Sequence, residues 1–115
     1  MEKGLSGGVS ALGTGSALVS SFALMSIPLL LGAIPFKAFL FIGILAFLGT
    51  LVDSVAGALF QSLYRCDACG NQVENAIHCG SPATLIKGFR MIDNVAVNYI
   101  AGFVTCAMGV ILIFV

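Results

Sequence analysis

Three long stretches without a charged side chain constrain this chain more than any other feature. Residues 4–36, 38–52 and 94–115 contain no Asp, Glu, Lys or Arg. About 20 consecutive apolar residues suffice to cross the hydrocarbon core of a bilayer as an α-helix. Hydrophobic residues make up 59% of the 115 residues and charged residues only 9%, whereas an average soluble domain is about 25% charged. A soluble fold of this size cannot cover so much apolar surface, so we expect an integral membrane protein.

The charge-free stretches predict an all-α membrane protein with three transmembrane helices in a single membrane domain, residues 1–115. We expect the helices at residues 9–33, 38–62 and 94–115. Residues 64–93 are expected to form a polar loop between the second and third helices. Because three helices make a thin bundle, we also expect either a homo-oligomer or an amino-terminal partner half.

The basic residues predict an orientation in the membrane. Lys3 precedes the first helix, and the polar loop contains Arg65, Lys87 and Arg90. The opposite side has only Lys37. Because an excess of Lys and Arg marks the cytoplasmic side, we expect a multi-pass cell-membrane protein with a cytoplasmic amino terminus and a cytoplasmic long loop. The net charge is zero, and nothing in the sequence points to nucleic acid.

One carboxylate interrupts the second predicted helix. Asp53 lies within an otherwise uncharged, apolar segment. An ionisable group at that depth costs several kcal/mol unless it faces protein, water or a cation. One interpretation is a functional site. The alternative is a protonated Asp53 that hydrogen-bonds to a neighbouring helix and serves packing only.

Further oxygen donors lie near the expected cytoplasmic end of these helices. Asp93 precedes the third helix, Asn94 begins it, and Asn98 follows one turn later. At about 1.5 Å per residue, Asp53 lies about 14 Å from the end of the second helix, and Asn98 about 6 Å inside the third. If they face one another, these side chains line a polar cleft open to the cytoplasm. Carboxylate and amide oxygens are the hard donors that coordinate Mg²⁺ when the ion also binds phosphate groups.

A glycine-rich segment, GLSGGVS at residues 4–10, opens the first helix. Exposed backbone N–H groups at a helix amino terminus attract anions, so Gly7 and Gly8 are candidates for holding a phosphate group. Lys87 and Arg90 are further candidates for binding nucleotide phosphates. The alternative for these two basic residues is anchorage of the loop at anionic lipid headgroups.

The polar loop contains a Cys-x-x-Cys pair and, after eight residues, a His-Cys pair. Cys66, Cys69, His78 and Cys79 are the residue types that bind a structural Zn²⁺ in tetrahedral geometry. Because His78 and Cys79 are adjacent in the chain, their side chains need not both reach the same metal ion. An alternative is that the three cysteines bind the ion together with a ligand from outside the loop. A disulfide or free thiols are the other interpretations. Cys106, in the third helix, is interpreted as a small packing residue.

Several of these segments together resemble a known family. They are GTLVDSVAGALFQ at residues 49–61, C-x-x-C-G…H-C-G at 66–80, and D-N-x-x-V-N at 93–98. They resemble the carboxyl-terminal half of the integral-membrane domain-of-unknown-function family 92, which includes transmembrane protein nineteen and the phytyl-phosphate kinase of plastids. The segment G-x-x-G-G-V-S-x-L-G-T at residues 4–14 is similar to the middle of the family's proteins.

The resemblance implies a multi-spanning helical protein related to CTP-dependent polyprenol kinases. It makes Asp53, Asp93, Asn94 and Asn98 candidate metal and nucleotide residues, with Gly7 and Gly8 as phosphate-loop candidates. The family's proteins have further helices with an acidic segment ahead of the glycine-rich one, and a threonine is usual where this chain has Leu5. The chain is therefore expected to be half of a larger family domain.

The sequence leads to three hypotheses for function. The first is a module of an isoprenyl-phosphate kinase-like transferase that uses Mg²⁺ and a nucleoside triphosphate such as CTP. The second is a non-catalytic membrane subunit whose zinc-binding loop contacts a cytoplasmic partner. The third is a transport component in which Asp53 is the coupling carboxylate.

Overall fold

A computed structural model describes residues 8–115 and contains three long helices with a small β-structure between the last two. Helix α1 spans Ala11–Leu30, α2 spans Phe36–Phe60 and α3 spans Asn94–Phe114. Each of the three is long and apolar enough to cross a membrane. The prediction of three helices that are long and apolar enough to span a membrane is therefore confirmed.

The two ends of α1 follow from local sequence. The helix begins after Ser10, whose Oγ atom accepts a hydrogen bond of 3.0 Å from the backbone N–H of Gly13. Such a cap satisfies one of the N–H groups that the first helical turn leaves without a partner. The helix ends at Leu30, three residues before the expected end, because Gly32 adopts a left-handed φ of +70° that turns the chain away from the helical path.

The segment between α2 and α3 forms strands where the sequence predicted only a polar loop. The strands are β1 (Leu63–Arg65), β2 (Gln72–Val73), β3 (Ile77–His78), β4 (Ser81–Pro82) and β5 (Thr84–Lys87). They form an antiparallel sheet in the order β2-β1-β5 and a separate β3–β4 hairpin. Strands of two to four residues are too short for an alternating hydrophobic pattern to reveal them.

The contacts divide the chain into two compact units, one of which contains Val9–Val52 and Ala101–Val115. Within this unit the helices approach closely at glycines. A Cβ atom at Gly49 would lie only 2.9 Å from the Oγ1 atom of Thr105. The ring of Phe22 occupies the space beside Gly43 and stacks edge-on with Phe39 at 5.5 Å between ring centroids. Small residues at these positions therefore serve helix packing, as is usual in membranes.

The other unit contains Asp53–Ile100, the end of α2, the strands and the start of α3. Its strand β1 pairs on both sides, with Tyr64 opposite Val73 of β2 and opposite Leu85 of β5. Tyr64 and the next residue but one, Cys66, are both buried. The central strand thus leads directly from the membrane helix into the cysteine motif.

Candidate metal centre

The first pair of cysteines lies in a tight turn between β1 and β2. The backbone N–H of Gly70 donates to the carbonyl of Cys66 at 2.7 Å, and the N–H of Cys66 donates to the carbonyl of Asn71 at 2.9 Å. Gly70 has a left-handed φ of +74°, a conformation that glycine adopts without steric cost. This turn brings Cys66 and Cys69 into the same side-chain cluster.

The second pair of ligands lies at the two-residue turn of the β3–β4 hairpin. His78 pairs with Ser81, which leaves Cys79 and Gly80 as the turn. Both turn residues have positive φ, 52° at Cys79 and 72° at Gly80, as a type I′ hairpin turn requires. Positive φ at a residue with a side chain costs about 1–2 kcal/mol. Because the chain bends sharply here, His78 and Cys79 contribute to one cluster despite being adjacent.

The four side chains meet within bonding range of a single ion. Their ligand atoms all lie within 4.8 Å of one another. The Nδ1 atom of His78 lies 3.2 Å from the Sγ atom of Cys79 and 3.6 Å from that of Cys69. Zn–S bonds of about 2.3 Å in a tetrahedral site separate the sulfurs by about 3.8 Å. Three thiolates and one imidazole nitrogen at these separations therefore fit zinc.

Neighbouring side chains also perturb the protonation of the thiols. Hydrogen bonding to the side chain of His78, and then to the backbone of Cys69, lowers the pKa of Cys66 from 9.0 to about 6. The side chains of Cys69 and then Cys66 raise the pKa of Cys79 to about 11. A thiolate at one cysteine of the cluster therefore disfavours ionisation of a neighbouring cysteine. A bound divalent cation would neutralise this repulsion between the thiolates.

The cysteines are not joined to one another. All four are free thiols, and only Cys66 is buried. The disulfide interpretation therefore does not describe this structure. Cys106 lies in α3 and does not belong to the cluster.

The carboxylate of Asp53 is half-buried on α2. Its Oδ1 atom is buried and has no hydrogen-bond partner within residues 8–115. The same is true of the Oε1 atom of Gln61, a residue that is only 4% exposed. Asp53 lies about two turns before the end of α2, and Gln61 directly follows Phe60, the last residue of that helix.

The other acidic candidate, Asp93, is the amino-terminal cap of α3. Its Oδ1 atom accepts a hydrogen bond of 2.8 Å from the backbone N–H of Ala96, and its carbonyl accepts one of 3.1 Å from Val97. Asn94 is the first residue of α3, Asn98 follows one turn later, and both are exposed. A shared cleft between these asparagines and Asp53 stays a prediction.

The candidate phosphate-binding residues are widely spaced along the chain. Lys87 ends β5 and Arg90 follows it, and both are exposed. Gly8 is exposed just before α1, whereas Gly7 lies outside the described residues.

A comparison with protein families matches residues 1–106 to the family described as integral membrane protein DUF92. The chain belongs to the DUF92 family. The matched part contains the cysteine and histidine cluster, Asp53 and most of α3. Searches of curated proteins and of solved structures found no match. The resemblance seen in the sequence is thus confirmed at the level of the DUF92 family, and the correspondence to a carboxyl-terminal half stays a prediction.

Proposed function

We propose that this DUF92 protein is a multi-pass membrane subunit whose β-structured loop is a structural zinc domain that contacts a cytoplasmic partner. The observation that carries the proposal is the convergence of Cys66, Cys69, His78 and Cys79, with all ligand atoms within 4.8 Å. Four protein ligands leave no open coordination position, which is the mark of a structural rather than a catalytic zinc site.

The small size of the loop gives the metal a physical role. Its strands are two to four residues long, and its buried side chains are few, Tyr64 and Cys66 among them. A core of this size supplies too little apolar burial to hold a separate domain together, and such modules commonly need a metal. Zinc would join the β1–β2 turn to the β3–β4 hairpin, two parts of the loop with no strand pairing between them.

The proposed cytoplasmic location of the loop agrees with this chemistry. Arg65, Lys87 and Arg90 favour that side by the charge rule for membrane proteins. Cysteines in the reducing cytoplasm persist as thiols, which are available as zinc ligands. A rigid loop on that side would present a fixed surface to a soluble partner.

The direct test is the metal content of the full chain purified without chelators. We expect roughly one zinc ion per chain, the stoichiometry of a four-ligand site. Cys69→Ser should lose the zinc, whereas Cys106→Ser, which alters a cysteine outside the cluster, should retain it. Zinc-free protein after loading with zinc, or equal loss in both variants, would rule the proposal out.

A second candidate function follows from the buried carboxylate oxygen of Asp53, which has no partner among the described residues. We propose that Asp53 helps to hold Mg²⁺ for transfer of phosphate from a nucleoside triphosphate to an isoprenyl phosphate. Such transfer depends mainly on positioning and on neutralising charge. Asn94 and Asn98 would assist, the backbone of Gly7 and Gly8 would hold phosphate, and a second copy or an amino-terminal partner would complete the site.

A phosphate-transfer assay of the chain together with its partner distinguishes the transferase proposal from the zinc proposal. We expect Asp53→Asn to abolish transfer of phosphate to an isoprenyl phosphate in reconstituted membranes. Asp67→Asn is the matched control, because Asp67 is exposed and bonds only to Thr84 in the described part of the chain. Full activity of Asp53→Asn would eliminate the transferase proposal and leave the zinc proposal untouched.

A further inference from the structure

Residues 88–92 are attached to the end of a membrane helix. The backbone N–H of Phe89 donates to the carbonyl of Phe60, the last residue of α2, at 3.1 Å. The N–H of Ser62 donates to the carbonyl of Ile92 at 2.8 Å. Helix α3 begins two residues later, at Asn94. Because both helices are membrane spans, this segment lies at the level where the chain leaves and re-enters the bilayer.

Gly88 allows this attachment. It has a left-handed φ of +75°, and a Cβ atom at this position would collide with the backbone carbonyl of Gln61. Any other residue would therefore push the segment away from the end of α2. The position of residues 88–92 at the membrane boundary is thus fixed by backbone contacts rather than by flexible side chains.

Two apolar side chains of this segment are exposed. Met91 is 92% exposed and Phe89 is 59% exposed. Phe89 stacks on Phe60, itself partly exposed, with 6.5 Å between ring centroids. Leu85 and Ile86 of the preceding strand are exposed as well. Exposed apolar side chains at the end of a membrane helix mark a membrane or protein contact rather than a surface adapted to water.

Two basic side chains border the apolar ones. Lys87 and Arg90 are exposed and lie on either side of Phe89 in sequence. The nearest acidic residue, Asp93, caps α3 through its Oδ1 atom. Two further acidic groups belong to the neighbouring strands: Asp67 accepts a hydrogen bond from Thr84 at the opposite end of β5, and Glu74 follows β2, which does not pair with β5. Residues 87–93 thus carry two basic side chains and one acidic one, with the basic pair next to Phe89 and Met91 in the sequence.

We infer that Phe89 and Met91 insert into the headgroup region of the bilayer while Lys87 and Arg90 bind the phosphates of anionic lipids. Apolar side chains flanked by Lys or Arg at the end of a membrane helix have the composition of an interfacial anchor. The long basic side chains reach the headgroups while their stems cover apolar surface. This inference is independent of zinc binding, and it assigns the two basic residues to lipid rather than to a nucleotide.

The insertion can be measured because the chain contains no tryptophan. The full chain carrying Met91→Trp is reconstituted in phosphatidylcholine vesicles whose lipids are brominated on the acyl chains near the headgroup. We expect blue-shifted emission and strong quenching. Phe89→Trp, which keeps an aromatic ring on Phe60, is a second probe that should behave in the same way. Ile77→Trp is the control, because Ile77 is 70% exposed and lies in the separate β3–β4 hairpin.

Water-like emission without quenching at both position 91 and position 89 would overturn the inference. Equal quenching at position 77 would overturn it too, because insertion would then not be specific to this segment.

The contribution of Lys87 and Arg90 to lipid binding is measured separately. In mixed vesicles, quenching by brominated phosphatidylglycerol is compared with quenching by brominated phosphatidylcholine. We expect Met91→Trp to prefer the anionic lipid, and removal of each basic residue by Lys87→Gln or Arg90→Gln to reduce the preference about fivefold. Arg65→Gln, on β1, should leave the preference unchanged.

An unchanged preference in the Lys87→Gln, Arg90→Gln double variant would contradict the inference. Abolition of the preference by added inorganic phosphate or CTP at constant ionic strength would assign the pair to free phosphate and contradict it as well.

Discussion

The Nδ1 atom of His78 lies 3.2 Å from the Sγ atom of Cys79, its immediate neighbour in the chain. Adjacent residues of an extended strand point to opposite faces, so this approach depends on the turn at Cys79, where φ is +52°. The unfavourable backbone conformation is understandable if both side chains bind one metal ion. Strain of this kind persists where the surrounding structure or a ligand requires it.

The first prediction concerns the glycine that completes this turn. Gly80→Ala should weaken zinc binding, because alanine disfavours the φ of 72° by about 1–2 kcal/mol, equivalent to about fivefold to thirtyfold in affinity. No atom of residues 8–115 would obstruct the added methyl group, so the effect isolates the backbone conformation. Competition with a chromophoric zinc chelator measures it. Gly102→Ala, at an α3 position that is also unobstructed, is the control, and an equal effect there would contradict the interpretation.

The second prediction is a pH dependence with a defined sign. Zinc binds deprotonated ligands, so its affinity for the cluster should fall as the pH is lowered. In the metal-free protein the pKa of Cys79 is raised to about 11, which leaves this thiol protonated at neutral pH, whereas Cys66, at about 6, is mostly ionised. Loading zinc at neutral pH should therefore release protons. An indicator dye in weakly buffered solution detects them, and loading without proton release would count against thiolate ligation.

The third prediction tests helix packing. Gly49→Leu should destabilise the unit that contains α1 by about 1–3 kcal/mol, because the new side chain meets Thr105 where even a Cβ atom would approach to 2.9 Å. Reversible unfolding in mixed detergent micelles gives the free energy of unfolding. Gly15→Leu is the matched control, since the space beside Gly15 is open. A loss of stability at Gly15 as large as at Gly49 would show that the cost does not arise from this contact.

The fourth prediction separates function from stability at Asp53. Asp53→Asn should leave the free energy of unfolding unchanged or raise it, because it replaces a carboxylic group whose buried Oδ1 atom has no protein partner within residues 8–115 by a neutral amide of the same size. The same substitution should abolish any stabilisation of the chain by Mg²⁺. Thermal unfolding in detergent with and without Mg²⁺ measures both effects, with Asp67→Asn as the control. If Asp53→Asn destabilises the protein strongly, the carboxylate has a packing role instead.

The sequence predicted the features that depend on local composition and missed those that depend on contacts between distant residues or on unusual backbone conformations. Membrane helices follow from composition over about 20 residues, and this signal does not depend on tertiary contacts. Residue type and spacing identified the four candidate ligands. They did not show that His78 and Cys79 meet in one cluster, because that depends on a positive φ at a non-glycine residue. Asp93 stands immediately before an uncharged helix, a position that favours an amino-terminal cap, and that signal points to its hydrogen bond with Ala96.

Burial at the end of α2 illustrates the limit of sequence reasoning in another way. Gln61 has the polarity of a membrane-surface residue, yet the attachment of residues 88–92 to Phe60 and Ser62 covers this part of the chain. That attachment requires Gly88 to fit against the carbonyl of Gln61. Contacts between residues almost thirty positions apart are not encoded in any local pattern, so only the structure reveals them.

The proposed function depends on a zinc ion held by three cysteines and one histidine of the loop. X-ray absorption at the zinc edge of the full chain measures the bonds to this ion. We expect three sulfur ligands at about 2.3 Å and one nitrogen ligand at about 2.0 Å. A zinc ion surrounded only by oxygen and nitrogen, or a chain that takes up no zinc when its thiols are reduced, would contradict this expectation.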